Sequence, residues 1–417
     1  MPVDQNFAFL LLGILLAATV VAGTLSSRFG VPALIGFLGL GMIAGSDGLG
    51  GIAFAEYGLA QTIGAGALLF ILFSGGLDTS WAAVRKVASP ALVLATVGVA
   101  ISAGVMALAS VLLLGFDLVS GLLLGAIIGS TDAAAVFAVM RTQGLGLKAD
   151  IQSLIEFESG SNDPMAIFLV GAMLVFIAAP ATPLLSLGSS FVLQMTVGAA
   201  VGAAVGYGFA GYMRRSRLRT GGLALVVSVA AGFLAFGLAG VLQGNGFLAA
   251  YLAGIVAGNQ SFPMSRAVKL FQDGVAWLGQ VVMFLILGLL VFPSQLPQVA
   301  GLGLAITAIL MLLARPISVF ACLLPFRRFS LKELVFVSWA GLRGAVPIVL
   351  ATFPVVAGAP NAETIFNITF FVVLASSLVQ GPTLGWAARR LGIAGPAGGP
   401  AAASDAVAVK TTGRDVG

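Results

Sequence analysis

Residues 156–163 read Glu-Phe-Glu-Ser-Gly-Ser-Asn-Asp and run directly into a long apolar stretch, Pro164–Ala179. Three carboxylates (Glu156, Glu158, Asp163) and three small polar side chains (Ser159, Ser161, Asn162) therefore stand where the stretch enters lipid. A carboxylate near a bilayer centre costs about 3 kcal/mol even on the lenient insertion scale, so ionisable residues there are candidate functional sites by default.

The rest of the chain supports a membrane setting. Of its 417 residues, 59% are hydrophobic and only 8% are charged, against about 25% charged in a soluble domain. No soluble core of this size hides so much apolar surface, which predicts an all-α polytopic membrane protein in the inner cell membrane. The 56 glycines fit closely packed transmembrane helices. One cysteine, Cys322, lies in an apolar run and excludes an internal disulfide. There is no histidine, so proton chemistry must use carboxylates. Met1–Leu25 lacks the basic start of a cleavable signal and continues as a full span.

A span needs about 20 apolar residues. Thirteen are expected, at about 6–25, 31–45, 58–76, 89–114, 118–140, 150–179, 186–212, 221–241, 245–259, 269–292, 297–325, 332–356 and 363–388. Every basic loop follows an odd-numbered span: Arg28, Arg85 and Lys86, Arg141 and Lys148, Arg214 to Arg219, Arg266 and Lys269, Arg327 to Lys332, Arg389 and Arg390. The other loops carry Asp47, Glu56, Asp117 and Glu363. The positive-inside rule then puts the N-terminus outside and the C-terminus in the cytoplasm. It also explains the net charge of +5 without nucleic acid.

The chain repeats itself. Phe37–Gly48 resembles Phe247–Asn259, and Ala67–Leu77 resembles Val281–Val291. Seven spans separate the equivalent elements, so the two halves have opposite orientation. The expected plan is a transmembrane domain, 1–394, of two inverted six-helix repeats, 6–179 and 221–388. A helix at 186–212 joins them, and a disordered cytoplasmic tail fills 395–417. Inverted repeats are a common plan of secondary transporters, with the site at the midplane.

Two spans carry the interruptions expected of crossed, discontinuous helices. The fifth holds Gly129-Ser130-Thr131-Asp132, and the twelfth Gly341-Leu342-Arg343-Gly344-Ala345-Val346-Pro347. Broken helices leave partial charges at the midplane. Asp132 and Arg343 are the candidates to answer them, as counter-charges or as an ion pair across the crossing. On the sixth span Glu156, Ser159 and Asp163 are spaced i, i+3, i+7 and share a face. One carboxylate with hydroxyl and carbonyl oxygens suits a small monovalent cation. Asp163 is the candidate carrier, binding cation or proton in turn; the alternative is a cap on a helix broken before Pro164. Glu158 is expected to pair with Arg315, the one mid-span arginine besides Arg343. Asp78 is assigned a helix-end role, and Asp273 a surface pair with Arg266 or Lys269.

The motifs Glu158–Pro164, Ser130–Ala134 and Gly341–Pro347 resemble those of the monovalent cation:proton antiporter family, closest to bacterial potassium/proton antiporters of the cell-volume-regulation type. The resemblance covers nearly the whole membrane region. It implies thirteen helices, a homodimer, separate dimerisation and core domains, and elevator-type alternating access. It also implies that Asp163 carries K+ or Na+ and H+ in competition, with Asn162 beside it. Ser159 and Thr131 are implied as ligands, with Glu158 as support. The Asn-Asp pair goes with electroneutral exchange in the family. Ala133 replaces a proline frequent in the sodium branch, so the motif does not choose between the cations. No cofactor is implied.

Other classes fit less well. An intramembrane aspartyl protease could use Asp132 and Asp163 as a dyad, but neither stands in Gly-x-Gly-Asp, and membrane arginines would quench a shared proton. A serine protease lacks a histidine base. A channel would show a selectivity-filter repeat. An organic-solute symporter of the same plan would be expected to show fewer buried carboxylates.

Overall fold

A computed structural model describes residues 5–28, 31–216 and 221–395. The basic residues Arg217 and Arg219 and the tail from 396 onward lie outside the described residues. Gly395, expected to begin that tail, instead pairs with Gly146 in a two-residue antiparallel ladder.

The chain is helical because lipid offers backbone groups no partners, so each segment must satisfy its own. Among the described residues nine helices are long and apolar enough to cross a membrane. In chain order the helices are α1 (Gln5–Arg28), α2 (Ala33–Ala44), α3 (Tyr57–Asp78), α4 (Ala88–Leu114), α5 (Leu118–Ile127), α6 (Ala133–Thr142), α7 (Ala149–Ala178) and α8 (Leu184–Arg215). There follow α9 (Gly221–Val241), α10 (Gly246–Gly258), α11 (Ser265–Leu289), α12 (Pro293–Phe326), α13 (Leu331–Trp339), α14 (Ala345–Val356) and α15 (Ala362–Leu391). A single helical turn, Trp81–Val84, follows α3.

Features recur in pairs. Gly41 of α2 meets Gly288 of α11, and a Cβ on Gly288 would stand 2.8 Å from the Gly41 Cα. Gly76 of α3 meets Gly254 of α10 in the same way, at 3.0 Å. Both pairs let two backbones touch, which any side chain would prevent. α4 widens into a π-helical turn at Leu94–Gly98, and α12 does so at Leu310–Ala314. The second lies just before Pro316, whose ring and missing N–H oppose a regular turn.

The large core forms where α7 packs on α4, α5, α6, α10 and α14. A smaller core joins α3, α8, α9 and α10. By contrast α1 and α8 bury only 6% and 11% of their apolar windows, and Phe9, Leu10, Leu184, Leu185 and Val192 face outward. α7 runs unbroken through Pro164, so Asp163 does not cap a broken helix.

Asp117 starts α5 from the loop before it. Its carboxylate accepts from Ser120 Oγ at 2.6 Å and from the N–H groups of Val119 and Ser120 at 2.9 and 3.0 Å. The Ser120 hydroxyl above all holds the carboxyl below its ordinary range. A lowered folded value contributes stability that is full above the ordinary carboxylate range and is lost as pH falls through the folded value. Asp117→Ala is therefore expected to cost about 1 kcal/mol near neutrality. Thermal unfolding of the parent and variant in detergent should converge as the pH is lowered.

Candidate functional site

The fifth span breaks at 128–132, between α5 and α6, and the twelfth at 340–344, between α13 and α14. The two breaks cross and bond directly: the Asp132 N–H donates to the Leu342 carbonyl at 2.8 Å. The Asp132 carboxylate accepts from the Ala135 N–H at 3.0 Å, capping α6, and lies against Gly344, which starts α14. One anion thus faces the positive ends of two helices. Arg343 points the other way. Its Nη1 donates to the carbonyls of Gly129 and Ser130 at 2.7 and 2.5 Å, closing the C-terminal end of α5.

These contacts correct one expectation. Asp132 and Arg343 form no ion pair; each answers helix ends. The freed backbone groups lie closer to each side chain than the opposite charge does. Gly344 has no room for a side chain, since a Cβ there would stand 2.7 Å from the Asp132 Cβ. Gly344→Ala is expected to pry the crossing open and lower the thermal midpoint in detergent. Gly104→Ala on α4, where a Cβ meets nothing within 4 Å, should leave the midpoint unchanged or raise it.

α7 passes behind the strap of residues 130–133 and is laced to it by three side chains. Ser159 Oγ donates to the Thr131 carbonyl at 2.8 Å and accepts from the Ala133 N–H at 3.0 Å. Asn162 Nδ2 donates to Thr131 Oγ1 at 2.6 Å. Ser130 Oγ donates to the Asp163 carboxylate. Asp163, Asn162, Ser159, Thr131 and Ser130 are all buried. Among the described residues Asp163 has no ion pair, so its charge is met by neutral dipoles alone.

Glu158 is turned away from this cluster. It receives Arg315 in a two-point bridge, Nη1 to Oε1 at 2.6 Å and Nη2 to Oε2 at 2.8 Å, with both residues buried. The structure therefore gathers Asp163, Asn162, Ser159 and Thr131 in one place, and sets Glu158 with Arg315 and Asp132 with Arg343 apart as two polar supports.

A cavity of about 860 Å³ reaches Asp163 and Ser159 and extends past Glu156 to Asp78, Lys269 and Arg141. Asp273 lies in its wall and accepts from Ser74 Oγ at 2.7 Å; Lys269 pairs with Asp78 at 3.7 Å. The expected surface pair of Asp273 with Lys269 is thus not formed. Several polar contacts were not found from sequence. Glu156 accepts from Thr79 Oγ1 at 3.0 Å, Asn245 caps α10 and donates to the Pro164 carbonyl at 3.1 Å, and Tyr251 packs on Gly160. Only Asn245 had a local signal, as an Asn just before an apolar helix.

Comparison with known proteins bears on this arrangement. A family model described as "Sodium/hydrogen exchanger, transmembrane" matches residues 14–390. The chain is 43% identical over 387 residues to the K(+)/H(+) antiporter NhaP of Alkalimonas amylolytica, covering 93% of this chain and 67% of that protein. It is 41% identical over 392 residues to the K(+)/H(+) antiporter NhaP2 of Shewanella oneidensis, covering 93% and 68%. The chain thus spans about two thirds of the length of these curated relatives. The Na(+)/H(+) antiporter NhaP of Pseudomonas aeruginosa is 29% identical over 355 residues, covering 77% of this chain and 79% of that protein. Among solved structures, the sodium proton antiporter MjNhaP1 of Methanocaldococcus jannaschii at pH 8 superposes with a TM-score of 0.78. It is 22% identical and the match covers 91% of this chain and 99% of that one, a likeness of fold.

Proposed function

The chain belongs to the sodium/hydrogen exchanger family, and we propose that it is a secondary active antiporter exchanging K+ or Na+ for H+. One observation carries the exchange: Asp163 is a buried carboxylate in the wall of the cavity, with neutral hydrogen-bonding neighbours and no ion pair among the described residues. Such a carboxylate must be neutralised by something arriving from solution, a metal ion or a proton. Only one fits at a time, and that exclusion couples the two fluxes. Ser159 Oγ and the Thr131 carbonyl and hydroxyl supply further oxygens for the cation, and Asn162 holds the Thr131 hydroxyl in place. The names of the relatives at 41–43% identity favour K+. One carboxylate exchanging one charge for one charge is electroneutral.

The same reading includes thirteen spans: the nine long helices, the short α2 and α10, and the two broken spans α5–α6 and α13–α14. The paired glycine contacts, paired π turns and paired breaks support two inverted repeats. The cavity opens toward Arg141 and Lys269, on the face assigned to the cytoplasm by the charge rule. This is an inward-open state, and an elevator-like movement of α4–α7 with α12–α15 would carry Asp163 to the other side. The outward-facing apolar surface of α1 suits a homodimer contact.

The test is dissipation of a pH gradient in everted vesicles on adding K+, Na+ or choline. Collapse by K+ at lower concentration than Na+ is the expected result. Vesicles indifferent to both cations would sink the exchange reading.

A further inference from the structure

Glu156 has no part in the exchange just described, yet it shares its cavity. It lies on α7 seven residues before Asp163, about 10 Å along the helix axis and on the same face. Its carboxylate accepts one hydrogen bond, from Thr79 Oγ1 at 3.0 Å, and forms no ion pair among the described residues. Arg141 shares the cavity wall but makes no ion pair with Glu156, and the other nearby bases are engaged elsewhere. Arg315 is held by Glu158, Arg343 by two carbonyls, and Lys269 by Asp78. A part-buried carboxylate without a counter-charge draws one from solution.

Tyr251, on α10, adds a second and independent observation. It is 3% exposed, and its Oη makes no hydrogen bond of good geometry among the described residues; the nearest candidate, the Thr79 hydroxyl, donates to the Gly75 carbonyl at 2.8 Å. The hydroxyl lies beside Gly160, where a Cβ would come within 2.6 Å of it. Gly160 stands four residues after Glu156 and three before Asp163. The cavity wall thus presents a carboxylate, a threonine hydroxyl and an unsatisfied tyrosine hydroxyl, and then Asp163. A buried hydroxyl left without a partner is costly, unless a ligand supplies the missing contact.

We propose that Glu156, Thr79 Oγ1 and Tyr251 Oη form a second site, which stages the transported monovalent cation in the cavity before it reaches Asp163. One negative charge with two neutral oxygens suits a monovalent ion. A divalent ion usually gathers several carboxylates, and the described residues include no group of three or more. Removing Glu156 as a staging group leaves Asp163 chemically intact, so the two sites are separable by mutation. The identification of the ligand as the transported ion rests on the exchange reading; the existence of the site does not.

The test uses the purified full chain in detergent. Its thermal midpoint is followed against KCl, with choline chloride holding ionic strength constant, because a ligand bound only to the folded state raises the midpoint. In an Asp163→Asn background the K+-dependent rise is expected to persist. Adding Glu156→Gln, which can keep the Thr79 contact, should abolish it, whereas Glu156→Asp should retain it. Adding Tyr251→Phe instead should raise the K+ concentration required by about tenfold, the loss of one ligand to a charge. The site is overturned if Asp163→Asn alone removes the rise, or if the Glu156→Gln double variant keeps it. A K+-dependent rise in a parent chain that itself fails to dissipate a pH gradient supports the site and sinks the exchange reading instead.

Discussion

Asp163→Asn is expected to reduce cation-driven dissipation of a pH gradient to the leak of vesicles lacking the protein. The substitution is nearly isosteric. The amide oxygen can still accept from Ser130 Oγ, and Asn162, Ser159 and Thr131 keep their mutual bonds. The fold should survive, and the thermal midpoint in choline should stay close to the parent value. What the amide cannot do is carry a proton or neutralise a cation, so both halves of the cycle stop together. Measuring vesicle exchange and the midpoint on one preparation separates loss of chemistry from loss of structure. A variant that folds and still exchanges K+ for H+ would remove Asp163 as carrier. The burden would then pass to Glu156, because Glu158 is held by Arg315 and Asp132 is committed to two helix ends.

Sequence made the local part of this site visible and left the long-range part dark. Spacing of i, i+3 and i+7 on α7 put Glu156, Ser159 and Asp163 on one face, and the Gly and Pro interruptions marked the two breaks. The pairing of Glu158 with Arg315 followed from elimination, since a buried carboxylate needs a cation and few stand at membrane depth. At the crossing the sequence left two readings, counter-charges to the helix ends or an ion pair, and the first is what forms. Asp132 and Arg343 are opposite charges at matching places, but the break that brings them together also frees carbonyls and N–H groups. Those groups are nearer, and they took the side chains. The same distance problem hid Asp273 and Tyr251. Asp273 bonds Ser74, 199 residues away, although Lys269 stood one helical turn from it. Tyr251 sits in an apolar helix, with nothing in its neighbourhood to announce Gly160 or Thr79. Pro164 offered a helix break only as the alternative reading; its missing N–H costs one backbone bond, and α7 continues through it.

The buried bridge between Glu158 and Arg315 gives the largest expected effect on stability. Its two bonds, 2.6 and 2.8 Å, join side chains at most 5% exposed. Removing one partner strands a charge in a low-dielectric interior, which costs about 3–5 kcal/mol. Arg315→Leu and Glu158→Leu should each lower the thermal midpoint in detergent steeply and reduce the yield of folded protein. The double variant should be better than either single one, because two apolar side chains leave no unpaired charge. That sign reversal is the diagnostic result; additive losses in a double-mutant cycle would mean that the two groups act independently. The cycle also reads function. Glu158 faces Arg315 rather than the cavity, so a refolded double variant should recover exchange together with its midpoint. Recovered folding without recovered exchange would instead place Glu158 in the transport path, with Arg315 as the counter-charge that Glu158 must leave when the cation passes.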